Sequence, residues 1–154
     1  MTHLINLTVR PVRVRDLPEI YEIEERSFKE PYPPSFISAL AYRNPETFLV
    51  AERGGRVVGY IVATLERGRV GHIVSIAVTP EQRRRGIGSM LMLKTLEVLR
   101  RSGAKAIRLE VRRSNIAAQR FYEKFGLKRT SVIKNYYGDE DAYVFAVALS
   151  GFKA

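Results

Sequence analysis

Hydrophobic and polar positions alternate in several separate runs along the chain. "NLTVRPVRV", residues 6–14, reads as a first strand, and Pro11 places it at a sheet edge because proline cannot donate to a ladder. Asp16 precedes Leu17, Ile20, Tyr21, Ile23 and Phe28, which is helical spacing behind a capping residue. "KEPYPPS" breaks that pattern with prolines, and a short helix follows near Phe36 to Tyr42. "TFLVAERGGRVVGYIVATLERGRVGHIVSIAV" holds three β-rich runs with turn signals at Gly54-Gly55 and near Gly68, predicting an antiparallel meander. Gly86 to Arg101 is a strongly apolar helical stretch closed by Gly103. In "KAIRLEVR", Ile107, Leu109 and Val111 share one strand face, and Arg108, Glu110 and Arg112 share the other. Asn115 can cap a helix carrying Ala118, Phe121, Tyr122 and Phe125, which Gly126 ends. Two last strands, near Lys128 to Tyr137 and Ala142 to Leu149, turn at Gly138-Asp139.

The predicted order is β-α-α-β-β-β-α-β-α-β-β, a mixed α/β sheet. Helices between strands imply some parallel pairing, and short turns imply antiparallel hairpins. There is no internal repeat, low-complexity tract or linker, so residues 1–154 are expected to form a single domain. The charge changes the picture more than the composition does. A formal net charge of +10 favours polyanionic partners such as nucleotides, nucleic acid or anionic lipid, without bearing on fold. The absence of cysteine excludes a disulfide framework, a thiolate metal site and a cysteine nucleophile. "MTHLINLTVRPV" lacks the apolar core of a signal peptide, and no run reaches transmembrane length, so the cytoplasm is the expected compartment.

The run "TPEQRRRGIGSMLMLKTLEVLRRSG" leaves a strand and enters a helix. A helix N-terminus presents unpaired N–H groups and the positive end of a dipole, and glycines there let an anion approach the backbone. The loop lacks the Gly-Lys-Ser/Thr ending of a Walker loop, and its glycine spacing is not that of the dinucleotide fingerprint. On the loop alone, a tight turn with solvated arginines and a phosphate cradle are equally good readings.

Together with its surroundings, "VSIAVTPEQRRRGIG" resembles the signature of the GCN5-related N-acetyltransferase (GNAT) superfamily, Gln/Arg-x-x-Gly-x-Gly/Ala, here Arg83-Arg84-Arg85-Gly86-Ile87-Gly88. "LEVRRSNIAAQRFYEKFGLKRTSVIKNYYGDEDAYVFAVAL" extends the likeness to the RimI-type protein N-terminal acetyltransferases, and most to archaeal members. The resemblance covers about Leu49 to Leu149 and is looser over the first helices, although "KEPYP" also fits. It implies a GNAT fold whose sheet splays between the fourth and fifth strands, with acetyl-CoA entering the gap. It further implies that backbone groups of Ile76, Ala77 and Val78 pair with pantetheine amides. The loop from Arg83, Arg84 and Arg85 through Gly86, Ile87, Gly88 and Ser89 would then hold the pyrophosphate.

Acetylating a protein N-terminus needs a neutral amine, whose ordinary pKa is about 7.7–8.0, and a proton for the departing thiolate. Glu110 by itself reads as a surface carboxylate between Arg108 and Arg112; the resemblance makes it the base. Tyr122 by itself reads as core on an apolar helical stripe; the resemblance makes it the general acid. Asn115 combines a helix cap with an implied contact to the cofactor. His72 is either an ordinary strand-end histidine or a sharer of base duty with Glu110. Two such ligands are too few for a functional zinc site, so no metal is expected. Glu30 and Tyr32 in "EPY", and Tyr136 and Tyr137 in "NYY", occupy what the resemblance makes two loops flanking the substrate entrance. "EPYPPS" lacks the asparagine and some aromatics usual in that loop, so acceptor specificity does not carry over.

The leading expectation is therefore acetyl transfer from acetyl-CoA to the N-terminal α-amine of proteins in a ternary complex, with ribosomal proteins or nascent chains as candidate partners. A lysine or small-amine acetyltransferase on the same fold is the alternative. A basic nucleic-acid or ribosome-binding module is disfavoured, because the basic residues form no aromatic-interleaved stripe. A non-catalytic acyl-CoA sensor is disfavoured by Glu110 and Tyr122 occurring together. Neither a membrane nor a specific nucleic acid is expected as partner, and the expected state is a monomer or weak dimer.

Overall fold

A computed structural model describes residues 6–67 and 69–151. Strands β1 (Leu7–Pro11), β2 (Phe48–Arg53), β3 (Arg56–Glu66), β4 (Val70–Val78), β5 (Ala106–Arg112), β6 (Lys128–Ile133) and β7 (Ala142–Ala148) form one open sheet, ordered β1-β2-β3-β4-β5-β7-β6. Helices α1 (Leu17–Ser27), α2 (Pro34–Arg43), α3 (Ile87–Arg101) and α4 (Ile116–Lys124) complete the expected element order. Gly68, the second predicted turn, lies outside the described residues. Among the described residues no helix is long and apolar enough to cross a membrane. Two compact units divide the chain: residues up to Thr64 with Ser75–Val98, and Leu65–Val74 with the residues from Leu99 onward.

In the first unit, β1 pairs antiparallel with β2 from Leu7↔Arg53 to Pro11↔Leu49, at the sheet edge that Pro11 predicts. β2 pairs antiparallel with β3, with a bulge at Ala51/Glu52. Ile20, Ile23, Phe48, Val50, Tyr60, Ile61, Leu91 and Met92 are buried here. Gly59 on β3 is required by close approach: a Cβ there would lie 3.1 Å from the Ala77 carbonyl oxygen and 3.3 Å from Val78 Cγ2. Asp16 corrects the capping expectation. It sits before α1 in helical conformation with no side-chain cap. Its buried carboxylate instead accepts from Arg10 Nη1 and Nη2 at 2.8 and 2.9 Å and from the Arg13 N–H at 2.7 Å. A two-pronged guanidinium is a stronger donor for a buried carboxylate than a helix amide.

In the second unit, β4 begins parallel to β5 at Val70↔Ala106, Gly71↔Ile107 and His72↔Arg108, while the strands run on to Val78 and Arg112. β5 and β7 pair antiparallel from Ala106↔Ala148 to Arg112↔Ala142. Burial along β5 alternates as predicted, with Ile107, Leu109 and Val111 inside. β6 is shorter than expected and exposed along its length. It stops at Ile133 because Asn135 turns left-handed (φ 55°) and gives its N–H to Asp141 Oδ1 at 2.9 Å.

Candidate active site

Four side chains of the second unit form a ring of hydrogen bonds closed by one His–carboxylate ion-pair contact. His72 faces Arg108 in register, and Glu110 lies two residues further along β5 on the same face. His72 Nε2 is 2.7 Å from Glu110 Oε1, and His72 Nδ1 is 3.3 Å from Glu66 Oε2. Arg108 Nη1 donates to Glu110 Oε2 at 2.5 Å, while its Nη2 donates to both Glu66 oxygens at 2.8 and 3.0 Å. The Glu110 side chain is only 9% exposed. Burial works to raise its pKa, but the hydrogen bond and charge of His72, with those of Arg108, outweigh it and hold the carboxyl below its usual range. Glu110 is therefore ionised at neutral pH. Burial pulls the Arg108 pKa down, and Glu66 and Glu110 together more than offset that, so it stays a cation.

Tyr136 is drawn into the same field: burial first, then the Glu110 charge, raise its phenol pKa against the opposing Arg108. Its ring meets Tyr137 edge-on at 4.9 Å, and the Arg112 guanidinium lies 4.2 Å over the Tyr137 ring. Arg112 also bonds Asp139 at 3.0 Å and Glu140 at 3.1 Å, fixing the turn that carries both tyrosines. Tyr122 on α4 is buried against Phe121 and Phe145 at ring-centroid distances of 5.5 and 6.4 Å. Burial pushes its phenol up to about 12, so the hydroxyl keeps its proton at neutral pH. Asn115 caps α4 as expected: its Oδ1 accepts from the Ala118 N–H at 3.1 Å.

The first unit carries the glycine-arginine loop. Arg83 is spent on the protein, donating from Nε to the Val78 carbonyl at 2.8 Å and from Nη2 to Ser27 Oγ at 3.3 Å. Arg84 and Arg85 are exposed. Arg84 (φ 64°) and Gly86 (φ 82°) both turn left-handed, and α3 begins at once, with the Met90 N–H on the Gly86 carbonyl at 3.0 Å. The amides of Ile87, Gly88 and Ser89 precede that first helical bond, so they have no acceptor within the helix. A Cβ built on Gly86 meets no atom within 4 Å. Backbone donors and open space together fit a pyrophosphate. Ile76, Ala77 and Val78 form the end of β4 beside this loop.

Glu30 lies exposed after α1, and the Tyr32 ring packs on Phe36 at 4.7 Å. The Tyr32 N–H donates to Glu24 Oε2 at 3.0 Å. The sequence singles out neither Glu24 nor Glu66, and marks Arg108 only as a neighbour of Glu110. Glu24 had a signal, a carboxylate on the same helical stripe as Ile20 and Ile23; Glu66, at a strand end, had none.

The chain matches the model of the Acetyltransferase (GNAT) family over residues 17–127 and belongs to that family, so it is an acetyltransferase that uses acetyl-CoA. It is 44% identical over 139 residues to an uncharacterized N-acetyltransferase of Methanocaldococcus jannaschii, covering 88% of each chain. It is 36% identical over 154 residues to an N-alpha-acetyltransferase of Sulfurisphaera tokodaii, covering 92% of each. Among solved structures, Ard1 from Thermoplasma volcanium matches with a TM-score of 0.90 at 35% identity, over 94% of this chain and 98% of that one. Arabidopsis thaliana Naa50, in complex with the bisubstrate analogue CoA-Ac-MVNAL, matches with a TM-score of 0.82 at 26% identity, over 93% and 99%.

Proposed function

We propose that this chain transfers the acetyl group of acetyl-CoA to the N-terminal α-amine of proteins, with Glu110 and His72 removing the amine proton and Tyr122 supplying a proton to the thiolate. The observation that carries the reading is the 2.7 Å contact between His72 Nε2 and the ionised Glu110. Acetyl-CoA supplies an activated thioester. As the amine nitrogen bonds to the acetyl carbon, the carbon–sulfur bond breaks. Glu110, directly or through His72, accepts the proton lost from nitrogen. Tyr122, protonated at neutral pH, gives its proton to sulfur and regains one from solvent. In the first unit, amides at the start of α3, with Arg84 and Arg85 nearby, are assigned to the pyrophosphate and the backbone of Ile76–Val78 to the pantetheine amides; in the second, Asn115 is assigned a cofactor contact. Arg83 contributes by tying the loop to Val78.

Tyr32 and Glu30 in the first unit, and separately Tyr136 and Tyr137 in the second, are assigned to peptide binding in this reading. Their support is the Tyr136–Glu110 proximity and the aromatic contacts of both loops. Ribosomal proteins or nascent chains in the cytoplasm are the acceptors in this reading, and the +10 charge suits the polyanionic ribosomal RNA beside them rather than the acceptors themselves. The test is acetylation of a peptide library varying the first two residues, with N-terminally blocked, lysine-bearing controls. Free N-termini are expected to be acetylated and the blocked peptides not; the reverse result makes the chain a lysine acetyltransferase.

A further inference from the structure

Glu24 is a carboxylate in the wrong place for a surface residue. It lies on the buried face of α1 with Ile20 and Ile23, and is 2% exposed. Among the described residues no cation pairs with it, so its burial is sustained by hydrogen bonds alone. Those bonds divide between its two oxygens. Oε1 accepts from the Tyr60 hydroxyl of β3 and from Ser75 Oγ of β4, the latter at 3.1 Å. The two hydroxyls are themselves 3.2 Å apart. Oε2 accepts the Tyr32 N–H at 3.0 Å.

The segment Pro31-Tyr32-Pro33-Pro34 makes that last bond unusually consequential. Three of these four residues have no backbone N–H, so Tyr32 supplies the segment's single main-chain donor, and Glu24 takes it. The same carboxylate grips Ser75, the residue before Ile76–Val78 on β4.

We propose that Glu24 is a positioning residue for the acceptor peptide, fixing the Tyr32 loop relative to Ser75 of β4 and so setting peptide affinity and first-residue preference without touching the reacting atoms. The inference rests on the reading that Tyr32 lines the acceptor side of an N-terminal acetyltransferase. Removing the clamp lets the loop drift, and misplacement of a substrate-binding group by about 1 Å can cost up to about 100-fold.

The experiment measures steady-state kinetics against a reactive peptide and acetyl-CoA binding by calorimetry, for wild type, Glu24→Ala and Glu24→Gln. Glu24→Ala is expected to raise the peptide KM about tenfold or more, with kcat and the acetyl-CoA Kd within about twofold. Glu24→Gln is expected to fall between the two. Its amide oxygen can keep the Tyr32 N–H while its nitrogen donates to the rotatable hydroxyls of Tyr60 and Ser75. First-residue preference across the peptide library should flatten in the same order. If Glu24→Ala does not fold, the Glu24→Gln and Tyr60→Phe peptide KM values carry the test. An unchanged peptide KM in the folded variants overturns the proposal, as does a loss of kcat and cofactor affinity equal to the loss of peptide affinity. Wild-type protein that ignores free N-termini overturns the functional reading as well; active wild type with indifferent variants overturns this inference alone.

Discussion

Replacing Glu110 with Gln keeps size and removes the charge. The surroundings accept one orientation of the amide. Its oxygen must face Arg108 Nη1, now 2.5 Å from Oε2, because an NH2 there would oppose a cation. The NH2 then needs a lone pair on His72 Nε2, which leaves Nδ1, 3.3 Å from Glu66 Oε2, to carry the ring N–H. The variant should therefore fold with its ring of four side chains largely intact. The size of the kinetic loss separates two roles for the carboxylate. An α-amine of pKa about 7.8 is roughly 14% neutral at pH 7 and about 94% neutral at pH 9. If Glu110 only stripped the ammonium before attack, solvent would do the same work, and the loss could not exceed about sevenfold. If it takes the proton as the bond to carbon forms, the loss should reach about 10²–10⁴-fold. We expect the larger figure at pH 7, with a rise to pH 9 recovering no more than about sevenfold. The assay is kcat/KM for a free N-terminal peptide at both pH values, with circular dichroism confirming the fold. Glu110→Gln retaining more than half of wild-type kcat/KM at pH 7 would refute the base assignment and return the residue to an ion-pair role.

Tyr122→Phe retains the packing on Phe121 and Phe145 and should lower kcat about 10²–10⁴-fold, with little change in the acetyl-CoA Kd, in rapid-quench single turnovers. Gly86→Val should weaken acetyl-CoA binding in calorimetric titration, since the side chain projects where no protein atom lies within 4 Å and the backbone sits at φ 82°; unchanged affinity in a folded variant would move the pyrophosphate elsewhere. Gly71→Ala should destabilise the fold by about 1–3 kcal/mol in denaturant unfolding, because its Cβ would lie 2.7 Å from Cδ1 of the fully buried Leu99. Asp16 is held below its usual pKa, Arg10 and the Arg13 N–H outweighing burial. The stability it contributes is present in full above about pH 3.9 and is lost as pH falls through its lower folded-state value, so Asp16→Asn should flatten the acid limb of stability against pH.

The element order could be read from the sequence because each run carried its own punctuation: Gly54-Gly55 between β2 and β3, Asn115 and Gly126 around α4, Gly103 after α3. The facing of β5 could be read too, since alternation alone put Ile107, Leu109 and Val111 inside. Charged residues were harder, because a sequence shows where a carboxylate is and not which donor reaches it. Asp16 looked like a cap and was taken by Arg10, six residues back across a turn. Glu110 looked flanked by two arginines; Arg108 does bond it, while Arg112 goes to Asp139 and Glu140. Glu66 and Glu24 depend on strand register and helix packing, neither of which is local information.

Arg10 lies between Asp16 and Glu52, with its side chain 13% exposed and that of Asp16 4%. Arg26 and Glu81 make an ion pair of similar length in the open. Added salt shortens the reach of exposed charges from about 10 Å at 0.1 M to about 3 Å at 1 M and scarcely enters the interior. Ionic strength thus sorts the arginines of this chain into two populations. One fastens the first strand to the start of α1 and is indifferent to the medium. The other, including the exposed Arg84 and Arg85, draws anions from a distance and is muted by salt. A saline medium can therefore slow anion capture while leaving the Arg10–Asp16 contribution to stability nearly unchanged.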